Sequence, residues 1–411
     1  MSALPLDGLT VLDLSRLLPG GFCSLLLADF GADVIKVEDT GAGDYIRWSP
    51  PLLDGLAESA RSALFQSLNR GKRSIRLDLK SDGGREVLLR LVRDADVLLE
   101  SFRPGVLDRL GVGWERLRSQ NPRLVYCAIT GYGQDGPGRD RSGHDINYLG
   151  LNGVLGLSGD AGAPPAQSAA QIADLGGGAL MAAVGILVAL RERERSGEGQ
   201  LVDCSMFDGS LSWLAMLAAE SLATGRAPAR GELGLAGRFT CYRPYECADG
   251  WVTLGALEPK FWRAWCEGVK RPDLLEHAFD GPGSESHRAV AEVFRSRTRE
   301  QWRRFADQHD CCLEPVLGLD EVLASEQVAA REMVVEVPAP GATEPLRLLG
   351  LPIKLSRTPG DPTRCAGPAL GGDTDEVLAE AGYSSVEIEK LHEAGAVGGV
   401  HQGVRGAFLS S

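Results

Sequence analysis

Short apolar stretches with strand character return along this chain at intervals set by helical segments, and that alternation restricts its possible architectures more than any other feature. Residues 9–14 (LTVLDL) and 33–38 (DVIKVE) read as buried strands, and SRLLPGGFCSLLLADFG between them reads as a turn and a helix closing at Gly31, which makes a βαβ unit. The pattern continues: REVLLRLVRDA (85–95) is helical, DVLLES (96–101) strand-like, the stretch after FRPG helical, and RLVYCAITGYG (123–133) a strand entering a glycine-rich loop. Such alternation predicts an α/β fold, a parallel sheet with helices on both faces.

Length and punctuation set the domain plan. A chain of 411 residues, 44% hydrophobic, holds two domains or one with an insertion. The most apolar run, 175–190, lies between Asp174 and Arg191; at 16 residues it falls short of the roughly 20 that span a bilayer, so it reads as a buried helix. RERERSGEGQ then forms a charged turn, LVDCSM (201–206) a strand, and a helix follows to about Leu222. These elements give a large domain over 1–222. The Gly-, Ala- and Pro-rich stretch 223–238 reads as a linker. A hairpin over 239–256 around an Asp-Gly turn, with helices near 258–270 and 287–308, gives a smaller α+β domain over 239–329. Residues 330–395 return to complete the large domain and end in a helical pair over 373–395; 396–411 reads as a flexible tail.

A net charge of −13 argues against nucleic acid or an anionic membrane as partner, since both repel such a field, and requires that any anion be held by local basic clusters. The nine cysteines include no CxxC pair, so neither a disulfide framework nor a zinc or other metal site is predicted, and free thiols suit a reducing cytoplasm. The first residues lack the basic start and apolar run of a signal peptide, and a soluble cytoplasmic protein is expected.

Several motifs carry possible chemistry, each beside a plainer reading. The turn after the first strand, LSRLLPGGF, lacks the GxGxxG glycines that let a backbone approach a pyrophosphate, so a structural βαβ unit without nicotinamide is expected there. NRGKRSIRLDLK (69–80) places Arg70, Lys72, Arg73, Arg76 and Lys80 against a single acid, Asp78; it is either a phosphate-holding cluster or a solvated turn. Arg103, in FRPG, follows a strand end, where open α/β sheets bind ligands, or else sits in a helix-entry turn. Asp174 in QIADLGGG is a helix cap, or a partly buried carboxylate suited to acid/base work with Gly176–Gly178 letting a ligand approach. His144 in GHDINY (143–148) is a surface histidine or a proton-transfer group, and Glu246 in PYECADG is a solvent-facing strand residue or a site residue.

Taken together, LDGLTVLDLSRLLPGGFCSLLLADFGADVIKVE, NRGKRSIRLDLK, DVLLESFRPGVLDRLGVG, GYGQDGPGRDRSGHDINYLGL and ADLGGGALMAAVGILVAL resemble the class III CoA-transferase superfamily over about residues 5–395. GHDINY, and ECADG followed by LGALEPKFW, are most similar to the α-methylacyl-CoA racemases of that superfamily. The resemblance implies a Rossmann-like large domain, a small α+β domain and an interlocked homodimer with its active site shared between subunits. It makes His144 and Asp174 an acid/base pair on opposite faces of the substrate, with Glu246 from the other subunit orienting His144. It also assigns Leu77, Asp78, Leu79, Lys80, Arg103 and the segment Gly143, His144, Asp145, Ile146, Asn147, Tyr148 to contacts with an acyl-CoA, beside the phosphate-holding candidates Arg70, Lys72 and Arg73.

Residue types fit that chemistry. Inverting the carbon next to a thioester requires one group to take a proton from one face and another to return one to the opposite face. The enolate oxygen needs a donor, for which the main-chain N–H of Asp145 at a helix start is the candidate. No metal or redox cofactor is called for; acyl-CoA is the substrate. Two departures stand out: Asp39 where the racemases often carry a basic residue, and QIAD in place of their Asn-Leu run. The competing readings are a CoA-transferase in which Asp174 forms an acyl anhydride, and a non-catalytic acyl-CoA-binding protein.

Overall fold

The structure, a computed structural model, describes residues 4–402. It divides into two units: the first takes in the chain to Asn152, Ala170–Trp213 and the chain from Glu326, and the second Gly153–Ala169 and Leu214–Ser325. The helix expected to run to Leu222 is two helices, Met206–Ser212 and Ala215–Thr224, and the division falls between them. The expected linker, 223–238, therefore lies inside the second unit.

The first unit is built on a seven-stranded sheet. Its strands β1 (Thr10–Asp13), β2 (Asp33–Glu38), β3 (Lys72–Leu77), β4 (Val97–Glu100), β5 (Val125–Thr130) and β6 (Leu201–Ser205) stand in the order β3-β2-β1-β4-β5-β6, all parallel. A seventh strand, Val397–Gly398, pairs antiparallel with Leu77 and Arg76 on the outer edge of β3. The tail expected from 396 does not begin there: Ala396 and Val397 are buried, and the rest of that call, over 403–411, lies outside the described residues. Leu12, Ile35, Ile75 and Leu98 from the strands and Val87 and Leu117 from covering helices form the core of this unit. The strand order reverses between β1 and β4. In a doubly wound sheet that reversal opens a crevice at the carboxyl ends of those strands.

Charged residues at that edge are buried in matched pairs, as desolvation demands. Asp13, at the end of β1, accepts Ser24 Oγ–H at 2.6 Å and Lys72 Nζ–H at 3.3 Å. Lys36 pairs with Asp44 at 3.0 Å, and Asp44 accepts the N–H of Leu17 at 3.2 Å. Leu17 has a φ of 62°, a left-handed conformation that a branched side chain adopts only when its surroundings impose it. The turn that lacks a glycine fingerprint is thus shaped by Asp13 and Asp44.

The apolar segment forms a continuous helix, Ile172–Ser196, π-helical over Ile172–Leu180 and α-helical over Met181–Ser196. By length and composition it could cross a membrane, but half of its most apolar window is buried in the fold, as in the core helix of a soluble domain. Its glycines serve packing. A Cβ on Gly176 would stand 2.1 Å from the Trp213 ring, one on Gly177 2.7 Å from Met206 O, and one on Gly178 2.8 Å from Met206 Cγ. The expectation that these glycines admit a ligand is therefore corrected: they admit the neighbouring helix Met206–Ser212.

The second unit has a three-stranded antiparallel sheet, Tyr242–Cys247, Gly250–Gly255 and Leu313–Pro315. Its hairpin turns through Ala248 and Asp249, one position before the expected Asp-Gly step, because Gly250 already pairs with Cys247. The single helix expected near 287–308 is two, Glu285–Arg295 and Arg299–Gln308, because Thr298 and Gln301 form a capping box that starts a new helix. Trp262, Trp265, Phe294 and Trp302 fill the core of this unit.

Candidate active site

A cavity of about 610 Å³ opens at the sheet's reversal point. Its walls come from the segments leaving three strands: Arg16 and Leu17 after β1, Ser101, Phe102 and Arg103 after β4, and Gly131 after β5. Gly143, His144, Asn147, Tyr148 and Asp174 complete it.

His144 is the N-cap of the helix Asp145–Leu151, and its main-chain N–H donates to Asn147 Oδ1 at 3.0 Å. The cap leaves the imidazole exposed at the cavity. Gly143 is required just before it, since a Cβ there would lie 2.6 Å from Tyr148. Tyr148 is buried, donates its hydroxyl to Gly143 O at 2.6 Å and packs edge-on against Tyr132. Burial, and next the charge of Asp174, push its phenol well above the usual range.

Asp174 lies in the first turn of the π-helical segment and is half-buried. Its N–H and that of Ala173 donate to Asp145 Oδ1, at 3.1 and 2.6 Å. Burial, and then the Asp145 carboxylate, push the Asp174 carboxyl up to about 7. A carboxyl so placed can hold or release a proton near neutrality, which general acid/base catalysis requires. π-Helical turns are rare and often lie at functional sites.

Not all of GHDINY reaches the cavity. Gly143, His144, Asn147 and Tyr148 line it, whereas the Asp145 side chain turns to the π-helical segment and Ile146 is exposed. Among the described residues nothing accepts the Asp145 N–H, as expected for the first amide of a helix.

A second cavity of about 320 Å³ is lined by Leu77, Asp78, Leu79 and Lys80, with Asp39, Phe102 and Arg109. Arg16 and Phe102 line both cavities. Asp39 holds Arg16 in place at 2.6 Å, and Tyr45 OH stands 3.2 Å from the same guanidinium. Where a basic residue would put one cation, this chain puts an acid that fixes another.

Arg70, Lys72 and Arg73 are not available to a ligand. Arg70 is buried and makes two hydrogen bonds to Asp29, at 3.0 and 2.6 Å. Lys72 is buried against Asp13, Ser24 and Asn69, and its burial pushes its proton affinity down to about 8. Arg73 is taken by Asp33 and Glu380. These three were candidate phosphate contacts; Lys72 and Arg73 instead lie on strand β3 and Arg70 just before it, and all three are paired with carboxylates within the fold. Glu246 lies on Tyr242–Cys247 of the second unit and pairs with Arg295 at 3.1 Å.

Sequence reading missed Arg16, Arg139 and Arg141 on the wall of the larger cavity. Arg16 stands at the carboxyl end of β1, the position that doubly wound sheets use, and that placement was the available signal. Arg139 donates to Gln134 O at 2.8 Å within its own loop, and no periodicity marks a loop of that kind.

The profile of CoA-transferase family III matches residues 6–374. An alpha-methylacyl-CoA racemase of Mus musculus is 37% identical over 94% of this chain and 96% of its own. A succinyl-CoA:mesaconate CoA-transferase of Haloarcula hispanica is 39% identical over 92% of this chain and 97% of its own. The crystal structure of a CAIB/BAIF family protein from Brucella suis superimposes with a TM-score of 0.80 at 31% identity, covering 92% of this chain and all (100%) of that one.

Proposed function

The chain belongs to CoA-transferase family III, and from that premise we propose that it is a racemase of 2-methylacyl-CoA thioesters, working by 1,1-proton transfer through an enolate. The observation that carries this reading is that His144 and Asp174 line one cavity. One takes the proton from C2 and the other returns a proton to the opposite face, so the carbon leaves with either configuration. Asp174, with a carboxyl that titrates near neutrality, serves as base toward one enantiomer and, protonated, as acid toward the other. The Asp145 amide donates to the thioester oxygen as charge develops there. Leu77–Lys80 and Arg103 hold the CoA portion. The enzyme acts as a cytoplasmic homodimer in which Glu246 of the partner subunit orients His144. The mechanism calls for no metal or redox cofactor.

Incubating one epimer of a 2-methylacyl-CoA in deuterium oxide should give both epimers with deuterium at C2. Absence of exchange removes this reading.

The half-buried Asp174 and the similarity to a CoA-transferase support a second reading. There the Asp174 carboxylate attacks the thioester carbonyl, expels CoA thiolate and carries the acyl group as a mixed anhydride. Hydroxylamine trapping decides between them: a hydroxamate on Asp174 favours transfer, and an unmodified side chain favours racemisation.

A further inference from the structure

In the proton-transfer scheme Asp145 contributes only its amide, yet its side chain makes two long-range contacts. Oδ1 accepts the N–H groups of Ala173 and Asp174 across 28 and 29 positions of sequence, at 2.6 and 3.1 Å. The first amides of a helix have no acceptor within it, and a carboxylate there forms charge-assisted bonds along the helix dipole. Two successive amides gathered on one oxygen fix both the position and the rotation of the turn. That turn runs directly into Gly176–Gly178, which pack against the helix Met206–Ser212. Asp145 is itself anchored as the first residue of the helix that His144 caps.

We propose that Asp145 is a positioning residue: its carboxylate ties the segment carrying Asp174 to the helix start carrying His144, so that the two groups keep a fixed separation across the cavity. The proposal rests on the racemase reading for what that separation serves, and on the two hydrogen bonds for its existence. A displacement of Asp174 would have to drag the His144 helix with it.

The same carboxylate acts through its charge. After burial, it is the cause of the raised proton affinity of Asp174. His144 and Tyr148 stand beside it on the same helix start, and Arg16, Arg103, Arg139 and Arg141 line the cavity. On strands and helices packed against the π-helical segment stand Cys23, Cys127, Asp203, Cys204 and Asp208. None of these replaces the Asp145 oxygen as acceptor for the two amides.

Two substitutions separate position from charge. Asp145→Asn keeps an oxygen acceptor and loses the charge; Asp145→Ala loses both. Carbon-13 NMR titration of the Asp174 carboxyl, assigned by its loss in Asp174→Asn, should show its midpoint falling by roughly half a pH unit or more in both variants. In Asp145→Ala, kcat for exchange at C2 should fall about tenfold or more while KM for acyl-CoA stays within about threefold, and Asp145→Asn should recover most of kcat. Wild-type kcat in Asp145→Ala, or an unmoved midpoint in both variants, overturns the proposal. Thermal unfolding reports whether each variant folds; if Asp145→Ala does not, the midpoint and kcat of Asp145→Asn decide. If the wild-type protein exchanges nothing at C2, the racemase reading fails separately, and the titration still tests the link between Asp145 and Asp174.

Discussion

Replacing Asp174 by asparagine should make the protein more stable at mildly alkaline pH while abolishing either reaction of the family. The carboxyl is raised from the usual 3.8 to about 7, first by burial and then by Asp145. Between those values the folded protein keeps a proton that the unfolded chain has released, so stability falls as pH rises through that window and the penalty is complete above about 7. At about 1.36 kcal/mol per tenfold change in proton affinity, the ceiling is about 4 kcal/mol. Asp174 faces a cavity open to water, and screening reduces the expected effect to about 1–3 kcal/mol. Asparagine has no proton to lose and escapes the penalty. Thermal unfolding of both proteins near pH 4 and again near pH 8 should therefore show a Tm gap in favour of the variant that widens by several degrees at the higher pH. An equal gap at the two pH values would show that Asp174 titrates as an ordinary carboxylate, and the acid/base role built on its environment would fall with it.

Gly177→Ala would set a Cβ 2.7 Å from Met206 O and Ser210 N, backbone atoms that cannot rotate aside; a Tm lower by several degrees, from about 1–3 kcal/mol of overpacking, and loss of exchange at C2 are expected. Arg70→Ala should destabilise by about 3–5 kcal/mol through the stranded Asp29 while leaving KM for acyl-CoA unchanged, and Arg103→Ala should raise KM about tenfold at unchanged Tm. The opposite assignment of effects would return the 69–80 cluster to ligand binding. Arg47→Met should also cost about 3–5 kcal/mol near neutrality, because Glu38 is buried and hydrogen-bonded to Arg47 at 2.8 and 2.6 Å. Burial alone would raise the Glu38 carboxyl, but the Arg47 charge outweighs it and holds that group at about 2. That stabilisation is present above about 4.5 and lost as pH falls toward 2, so acid titrations of wild-type and variant unfolding should converge there.

What the sequence disclosed was local. The βαβ start, the hairpin of Tyr242–Cys247 with Gly250–Gly255 and the terminal helical pair all follow from short-range periodicity and turn chemistry, and the strand-end rule pointed to Arg103. The misreadings concern partners remote in sequence. Arg70, Lys72 and Arg73 look like a free basic cluster until the fold brings Asp29, Asp13, Asp33 and Glu380 to them. Glycines 176–178 have the same composition whether they face a ligand or another helix. The link from Asp145 to Asp174 has no signature, because a tertiary cap across 28 residues follows no repeat. The helix break at Thr298 was legible, through Thr298 and Gln301 at capping-box spacing.

The pairing of Val397 with Leu77 has a consequence for how this protein is made. The outer edge of β3 keeps its backbone donors and acceptors open on the ribosome until Asp373, Thr374 and then Val397 have emerged to meet Ser74, Arg76 and Leu77, and an open strand edge invites pairing with other chains. Leu77 also begins the wall of the smaller cavity. The segment from Asp373 to Gly398 thus acts as a seal on synthesis: nascent chains stopped before residue 373 carry every candidate acid/base residue and an open β3 edge, which would send them to chaperones or aggregates.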